Sequence, residues 1–306
     1  MAINTITLSE KMTGELDRAV VQKSMTGFLN DNAMRAKFVG AGTVLIPNVE
    51  LSGLGDYFRD GGFAQGSINV SNTVYELKMD RGRSFLLDAQ DCDESGIPGL
   101  AGQVMGEFVR TKVIPEMDAY VLSKLGSVAL ENGQTVDGDP SEEAYAMFTE
   151  ACNKIYNNLG YDEELVAFVN GSFWAGIQSS PEISRMITIN DFKQGGADLK
   201  VKSINGVPLI PVPDSRMKTE FVFYDGRTTT PNDQTMGGFA PAADAQNIGL
   251  LVMPKRAASL VKKTEKIRIF DPDKNQQADA WKFDYRLYYD LIIRESLKSG
   301  IVAYIY

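Results

Sequence analysis

The sequence predicts an α+β chain. Two runs carry apolar residues at helical spacing, several others alternate apolar and polar residues as half-buried strands do, and one Asn-Gly pair separates two short β-prone segments. With 306 residues the chain can bury a core that needs no disulfide or metal clip.

The elements follow in order. Ser9 can cap an amphipathic helix bearing Leu16, Val20, Val21 and Met25, and residues 8–38 read as an N-terminal arm. From Val44 to Asp88 the pattern turns to strand. It is interrupted by Gly53, Gly55, Gly61, Gly62 and Gly66 around Tyr57-Phe58-Arg59-Asp60, so an extended hairpin is expected. In its returning half Tyr75, Leu77 and Met79 share one face, and Glu76, Lys78 and Asp80 the other.

The longest helical signal runs from Leu100 to Leu125, with a bend or break expected near Ile114 because Pro115 lacks a backbone donor. A second helix begins at Asp139-Pro140-Ser141-Glu142 and closes at Gly160; its spacing places Cys152 on the apolar face as a core residue. Leu165 to Val169 reads as a buried strand, followed by a short helix through Phe173 to Ile177. Asn205-Gly206 between Val201 and Ile210 is a type I′ hairpin signal, and Pro208, Pro211 and Pro213 suggest that its second arm lies at a sheet edge. Ile248 to Met253 is a further strand, with Pro254 opening a short helical piece. Trp281 to Ile293 alternates over a length of ~40 Å, at about 3.3 Å per residue, and Gly300 to Ile305 is expected beside it.

Composition excludes much. There is no histidine, which removes Ser-His and Cys-His pairs and His-bearing metal sites, and Cys92 and Cys152 are too few for a Cys₄ zinc site. A formal charge of −9 opposes avid binding to nucleic-acid phosphates. The start lacks a signal-peptide pattern and no apolar run is long enough to span a membrane, so synthesis in the cytoplasm and no membrane partner are expected.

No phosphate loop or dinucleotide fingerprint occurs. Asp271-Pro272-Asp273-Lys274-Asn275 lacks the glycine and the final glutamate of a calcium loop and reads as a solvated turn. Asp88, Asp91, Asp93 and Glu94 precede a helix, where its dipole favours acids. Arg81, Arg83, Lys255-Arg256 and Lys262-Lys263 read as salt links to acids of this chain or another, with a nucleic-acid contact as the minor alternative. No catalytic, cofactor-binding or metal residue is nominated, and an enzyme using carboxylates or a metal ranks low. What remains is a chain whose unusual parts are extensions, which make sense if neighbouring copies cover them.

The segments Tyr75–Phe85, Val104–Tyr120 and Ser203–Pro213, in that order, resemble the major capsid proteins of tailed bacteriophages with the Hong Kong 97-type shell fold. The resemblance implies an N-arm (1–50), an extended E-loop (51–90), a peripheral domain (91–140 and 265–306) with a spine helix at about 97–126, and an axial domain (141–264). It implies a non-enzymatic subunit of hexamers and pentamers in a virion capsid, made in the host cytoplasm, around DNA held without sequence-specific contacts. A separate scaffolding protein and a portal are implied partners, with decoration proteins left open. Tyr57, Phe58, Arg59, Asp60, Phe63, Arg81 and Arg83 are the inter-subunit contacts expected. The presumed tip has no lysine, so a shell without covalent links is expected. The alternative within the same fold is an encapsulin-type nanocompartment shell.

Overall fold

The computed structural model describes residues 24–30, 37–39, 42–89, 100–180, 187–194 and 197–306. The expected Ser9 cap and the acids Asp91, Asp93 and Glu94 lie outside them. The described chain opens with a 3₁₀ turn, Gly27–Asn30, and runs through β1 (Lys37–Val39), β2 (Thr43–Leu51), β3 (Ile68–Glu76), β4 (Met79–Asp88), α1 (Leu100–Phe108) and α2 (Ile114–Glu131). Then come β5 (Thr135–Val136), α3 (Pro140–Leu159), β6 (Leu165–Val169), α4 (Gly171–Ser179), β7 (Ile187–Gln194), β8 (Ala197–Ile204), β9 (Val207–Pro211), β10 (Phe221–Phe223) and β11 (Phe239–Pro241). The last strands are β12 (Ile248–Pro254), β13 (Ala258–Phe270), β14 (Ala280–Ile293) and β15 (Val302–Ile305).

A seven-stranded sheet in the order β5-β15-β12-β6-β9-β8-β7 is the centre of the molecule. β6 and β12 are buried along their whole length because both sheet faces are covered. Leu165, Ala167 and Val169, with Leu250 and Val252, face a core built with Phe148, Ile155 and Phe173 of α3 and α4. Val166, Phe168, Leu251 and Met253 face the opposite core, where Met117, Val121 and Leu125 of α2 meet Phe283, Leu287 and Leu291 of β14. α3 starts as its sequence implies: Asp139 accepts from the Ser141 amide, and Gly160 ends the helix at φ 97°. Cys152 is buried in this core, and burial pushes its thiol up to about 12.

The second assembly of strands is β13-β14-β4, antiparallel throughout. Its inner face, with Phe85, Ile267, Phe283, Tyr285 and Leu287, packs on the α1–α2 helix, where Phe108 meets the rings of Phe85 at 4.9 Å and Tyr285 at 5.8 Å. The alternation read from Trp281 to Ile293 is thus the alternation of one long strand lying on that helix.

Three local expectations are corrected and one is narrowed. Of the bend or break expected near Ile114, the long helix shows no break. It passes through one π turn, Val109–Val113, in which the Ile114 amide donates to Val109, and continues to Glu131. The wider turn accommodates a ring that would clash with the Thr111 carbonyl of a regular helix. β9 is interior, between β6 and β8. Its prolines stand at the ends of the two pairings, Pro208 opposite Ser203 of β8 and Pro211 opposite Val169 of β6. Pro254 ends β12 and leads into a turn before β13, not into a helix. β15 pairs with β12 and β5, not with β14.

Candidate interaction surface

The hairpin β2–β3 forms a ribbon with register Thr43↔Glu76 to Leu51↔Ile68. Its root is fixed. Val44, Leu77, Val261 and Ile292 form a small buried cluster, the Tyr288 hydroxyl donates to the Leu77 carbonyl at 3.2 Å, and the Lys78 amide donates to the buried carboxylate of Asp290 at 3.1 Å. Asp290 also accepts from Tyr120 and Lys124 of α2, both at 2.7 Å, so one carboxylate ties ribbon root, β14 and long helix together. Burial against Asp290 holds the Tyr120 hydroxyl protonated far above its ordinary range.

Beyond the root the ribbon leaves the body. The register places Leu51 opposite Ile68, Val49 opposite Val70, and Leu45 opposite Val74 on one face. Leu51, Ile68, Val49, Val70 and Val74 are exposed, so this face carries an apolar stripe, interrupted by Asn72 in the Pro47 row, that the described residues do not cover. Alternation identifies such a face but not whether anything lies on it, which is why sequence reading nominated the tip and missed the stripe.

Residues 52–67 make the tip. Ser52 and Ser67 close its neck through their hydroxyls at 2.7 Å and through the Ser52 amide to the Ser67 carbonyl at 3.0 Å. Within it Phe58 and Gly62 exchange amide hydrogen bonds of 3.1 and 2.7 Å, a turn that Gly62 enables at φ 73°. Tyr57 and Phe63 bring their rings to 5.0 Å, and Arg59 and Asp60 sit in the turn between them. All of these are exposed, Phe63 at 87% and Leu54 fully. Tyr57 and Phe63, their rings tilted at 58°, thus form an apolar patch held out in water with Phe58 and Leu54.

Arg81 and Arg83 sit elsewhere, on β4, and spend their donors within the chain. Arg81 pairs with Glu116 and donates to the carbonyls of Tyr224 at 2.8 Å and Gly238 at 3.3 Å; Arg83 donates to Thr235 at 3.1 Å. They clasp the loop 224–238 to the sheet. Of the other basic groups, Arg256 makes a two-point pair with Glu163. Lys274 pairs with Asp271 in the 272–274 turn, which is the solvated turn expected.

No protein-family model and no curated protein matches the sequence. Solved structures do match its fold. The chain superposes on a protein of Mycobacterium phage Che8 at TM-score 0.55 and 14% identity, over 89% of this chain and 92% of that one. The mature capsid of bacteriophage PhiM1 gives TM-score 0.55 at 12% identity over 87% and 82%, and the capsid of cyanophage P-SCSP1u 0.54 at 12% over 88% and 84%. The fold is a phage-capsid fold. The α+β arrangement expected of a Hong Kong 97-type shell fold is therefore present, and the likeness covers most of the chain.

Proposed function

We propose that the chain is the structural subunit of the icosahedral capsid of a tailed double-stranded DNA phage, acting in the virion and not as an enzyme. The observation that carries this reading is the ribbon, whose apolar stripe and aromatic tip the described residues leave exposed. Burial of such side chains is worth roughly 25 cal/mol per Å², so a second copy is the natural cover in a closed symmetric assembly. The quoted neighbours are phage proteins, which favours a genome shell over a cellular nanocompartment.

On this reading residues 51–90, with the tip and the returning strand of the ribbon, are the extended loop, 91–140 and 265–306 with the long helix are the peripheral domain, and 141–264 with α3 and α4 are the axial domain. Hexamers and pentamers, a separate scaffolding protein, a portal and packaged DNA are the partners proposed. The tip residues Tyr57, Phe58, Arg59, Asp60 and Phe63 make contacts between subunits, while Arg81 and Arg83 serve them by fixing the strand from which the ribbon springs. The tip contains no lysine, which fits a shell closed without covalent links.

The test is electron microscopy of the purified chain, expressed with and without candidate scaffolding partners, beside Phe58→Asp/Phe63→Asp. Closed particles or capsomers from the wild type, lost in the variant while its circular dichroism is unchanged, are expected. A wild-type chain that stays monomeric with every partner tried would overturn the proposal.

A further inference from the structure

Charge is unevenly distributed along this chain. From Glu131 to Glu164 there are nine carboxylates against one lysine, and from Lys255 to Lys298 eleven basic residues against seven acids. The fold places these segments in different layers. The acidic stretch surrounds α3 beside the seven-stranded sheet, and much of the basic one lies in β13 and β14.

The strand register shows where the basic residues go. The outer face of the β13-β14-β4 sheet consists of the rows Thr264–Tyr288–Asp80, Lys266–Arg286–Gly82, Arg268–Asp284–Ser84 and Phe270–Lys282–Leu86. Four cations meet two carboxylates there. Arg286 is paired with Asp80 at 2.6 Å, and Asp284 accepts from Ser84 at 2.7 Å. Lys266 and Arg268 are exposed, and among the described residues neither has an ion pair. Leu86 stands exposed at 56% on the same face. At the other side of the molecule Asp137, Glu142 and Glu143 are exposed at the start of α3, also without an ion pair among the described residues.

We infer that the outer face of the β13-β14-β4 sheet, through Lys266 and Arg268, docks on the acidic start of α3, through Asp137, Glu142 and Glu143, of a second copy of this chain. Charge complementarity selects that occupant. The two surfaces belong to different sheets of one subunit, so the contact is head-to-tail and propagates around a ring. Opposed charges of this kind set register and speed encounter more than they add affinity. The inference rests on the proposed assembly, and it names a contact independent of the ribbon.

Two differently tagged variants test it, Lys266→Glu/Arg268→Glu and Glu142→Lys/Glu143→Lys. Sedimentation reads their association and microscopy reads particles. Each variant alone is expected to lose self-association on the order of tenfold, and the mixture to recover it because one reversed face then meets the other. About 0.5 M salt should weaken the wild type alike. The neutral pair Lys266→Gln/Arg268→Gln, with a smaller loss, guards against a folding defect. Wild-type particles with both variants assembling normally, or a mixture that recovers nothing, would overturn the contact and leave the shell reading intact. Recovery in the mixture without closed particles would support the contact and count against the shell.

Discussion

Arg81 on β4 and Glu116 on α2 form a two-point ion pair, Nε to Oε1 at 2.6 Å and Nη2 to Oε2 at 3.2 Å. Glu116 follows Pro115 at the start of α2, directly after the π turn. Arg81 is five residues past the end of the ribbon strand β3. The pair therefore locks the ribbon's base to the one irregular point of the long helix, and the remaining guanidinium donors fasten the loop 224–238.

Removal of the arginine takes the donor from a part-buried carboxylate and from the Tyr224 carbonyl, and leaves the Gly238 carbonyl with the Tyr224 amide alone. Arg81→Ala is expected to destabilise the chain by about 3 kcal/mol, and Arg81→Lys to recover only part, because a point charge cannot form the fork. Chemical denaturation gives the magnitude. Hydrogen exchange should quicken in 224–238; exchange there unchanged from wild type would show that the clasp does not hold the loop.

A second anchor is the wholly buried Asp118 of α2. It accepts from the Ser24 hydroxyl at 2.5 Å, the Thr26 hydroxyl at 2.8 Å and the amides of Met25 and Thr26, and pairs with Arg216 at 3.1 Å. These bonds seat residues 24–30, whose Phe28 stacks on Phe168 at 6.1 Å. Asp118→Ala removes the carboxylate that Arg216, two hydroxyls and two amides share, a loss of about 3 kcal/mol. Limited proteolysis should then cut at 24–30 before the body; a cleavage order identical to wild type would contradict the role.

Local chemistry made much of the fold legible. Asn205 and Gly206 take φ 52° and 82°, as their hairpin requires, and Asp139 caps α3 within its own tetrapeptide. What failed depended on distant partners. Pro115 reads as a breaker, but Phe108 and Val109 before it and Met117 and Val121 after it are packed into one core, so the helix continues through a π turn. β15 follows β14 in sequence yet joins β12 across the molecule, a choice no local pattern carries. The tip aromatics were legible because glycines crowd around them. The apolar stripe of Leu51, Val49, Ile68 and Val70 was not, because alternation is identical on a covered and an uncovered face.

Acid should loosen the loop 224–238 before the core. Asp225 accepts from the Thr228 hydroxyl at 2.5 Å and from the amides of Thr228 and Arg227, and these bonds bring its carboxyl from the ordinary 3.8 down to about 2. A lowered folded value means stabilisation that is complete above the unfolded pKa and is lost as pH falls from about 4 toward 2. Hydrogen exchange followed across that window should show the loop opening, and Asp225→Asn should flatten the dependence, leaving the share of Asp233, whose carboxyl the Thr235 hydroxyl and amide also hold low. An equally steep pH dependence in the variant would place the responsible carboxylate elsewhere.

The tightest packing between helices gives the sharpest contrast in substitution. A Cβ on Gly176 of α4 would lie 1.9 Å from the Pro140 carbonyl oxygen and 3.2 Å from the Ala144 Cβ, at the start of α3. Backbone cannot step aside as a flexible side chain can, so Gly176→Ala must part the two helices and is expected to cost about 3 kcal/mol. Gly106 in α1 meets nothing within 4 Å of the same atom. There the alanine removes only unfolded-state freedom, and Gly106→Ala should stabilise by about 0.5 to 1 kcal/mol. Thermal denaturation of the two variants side by side should therefore move the midpoint in opposite directions; a Gly176→Ala midpoint at or above wild type would mean that α3 and α4 do not meet as described.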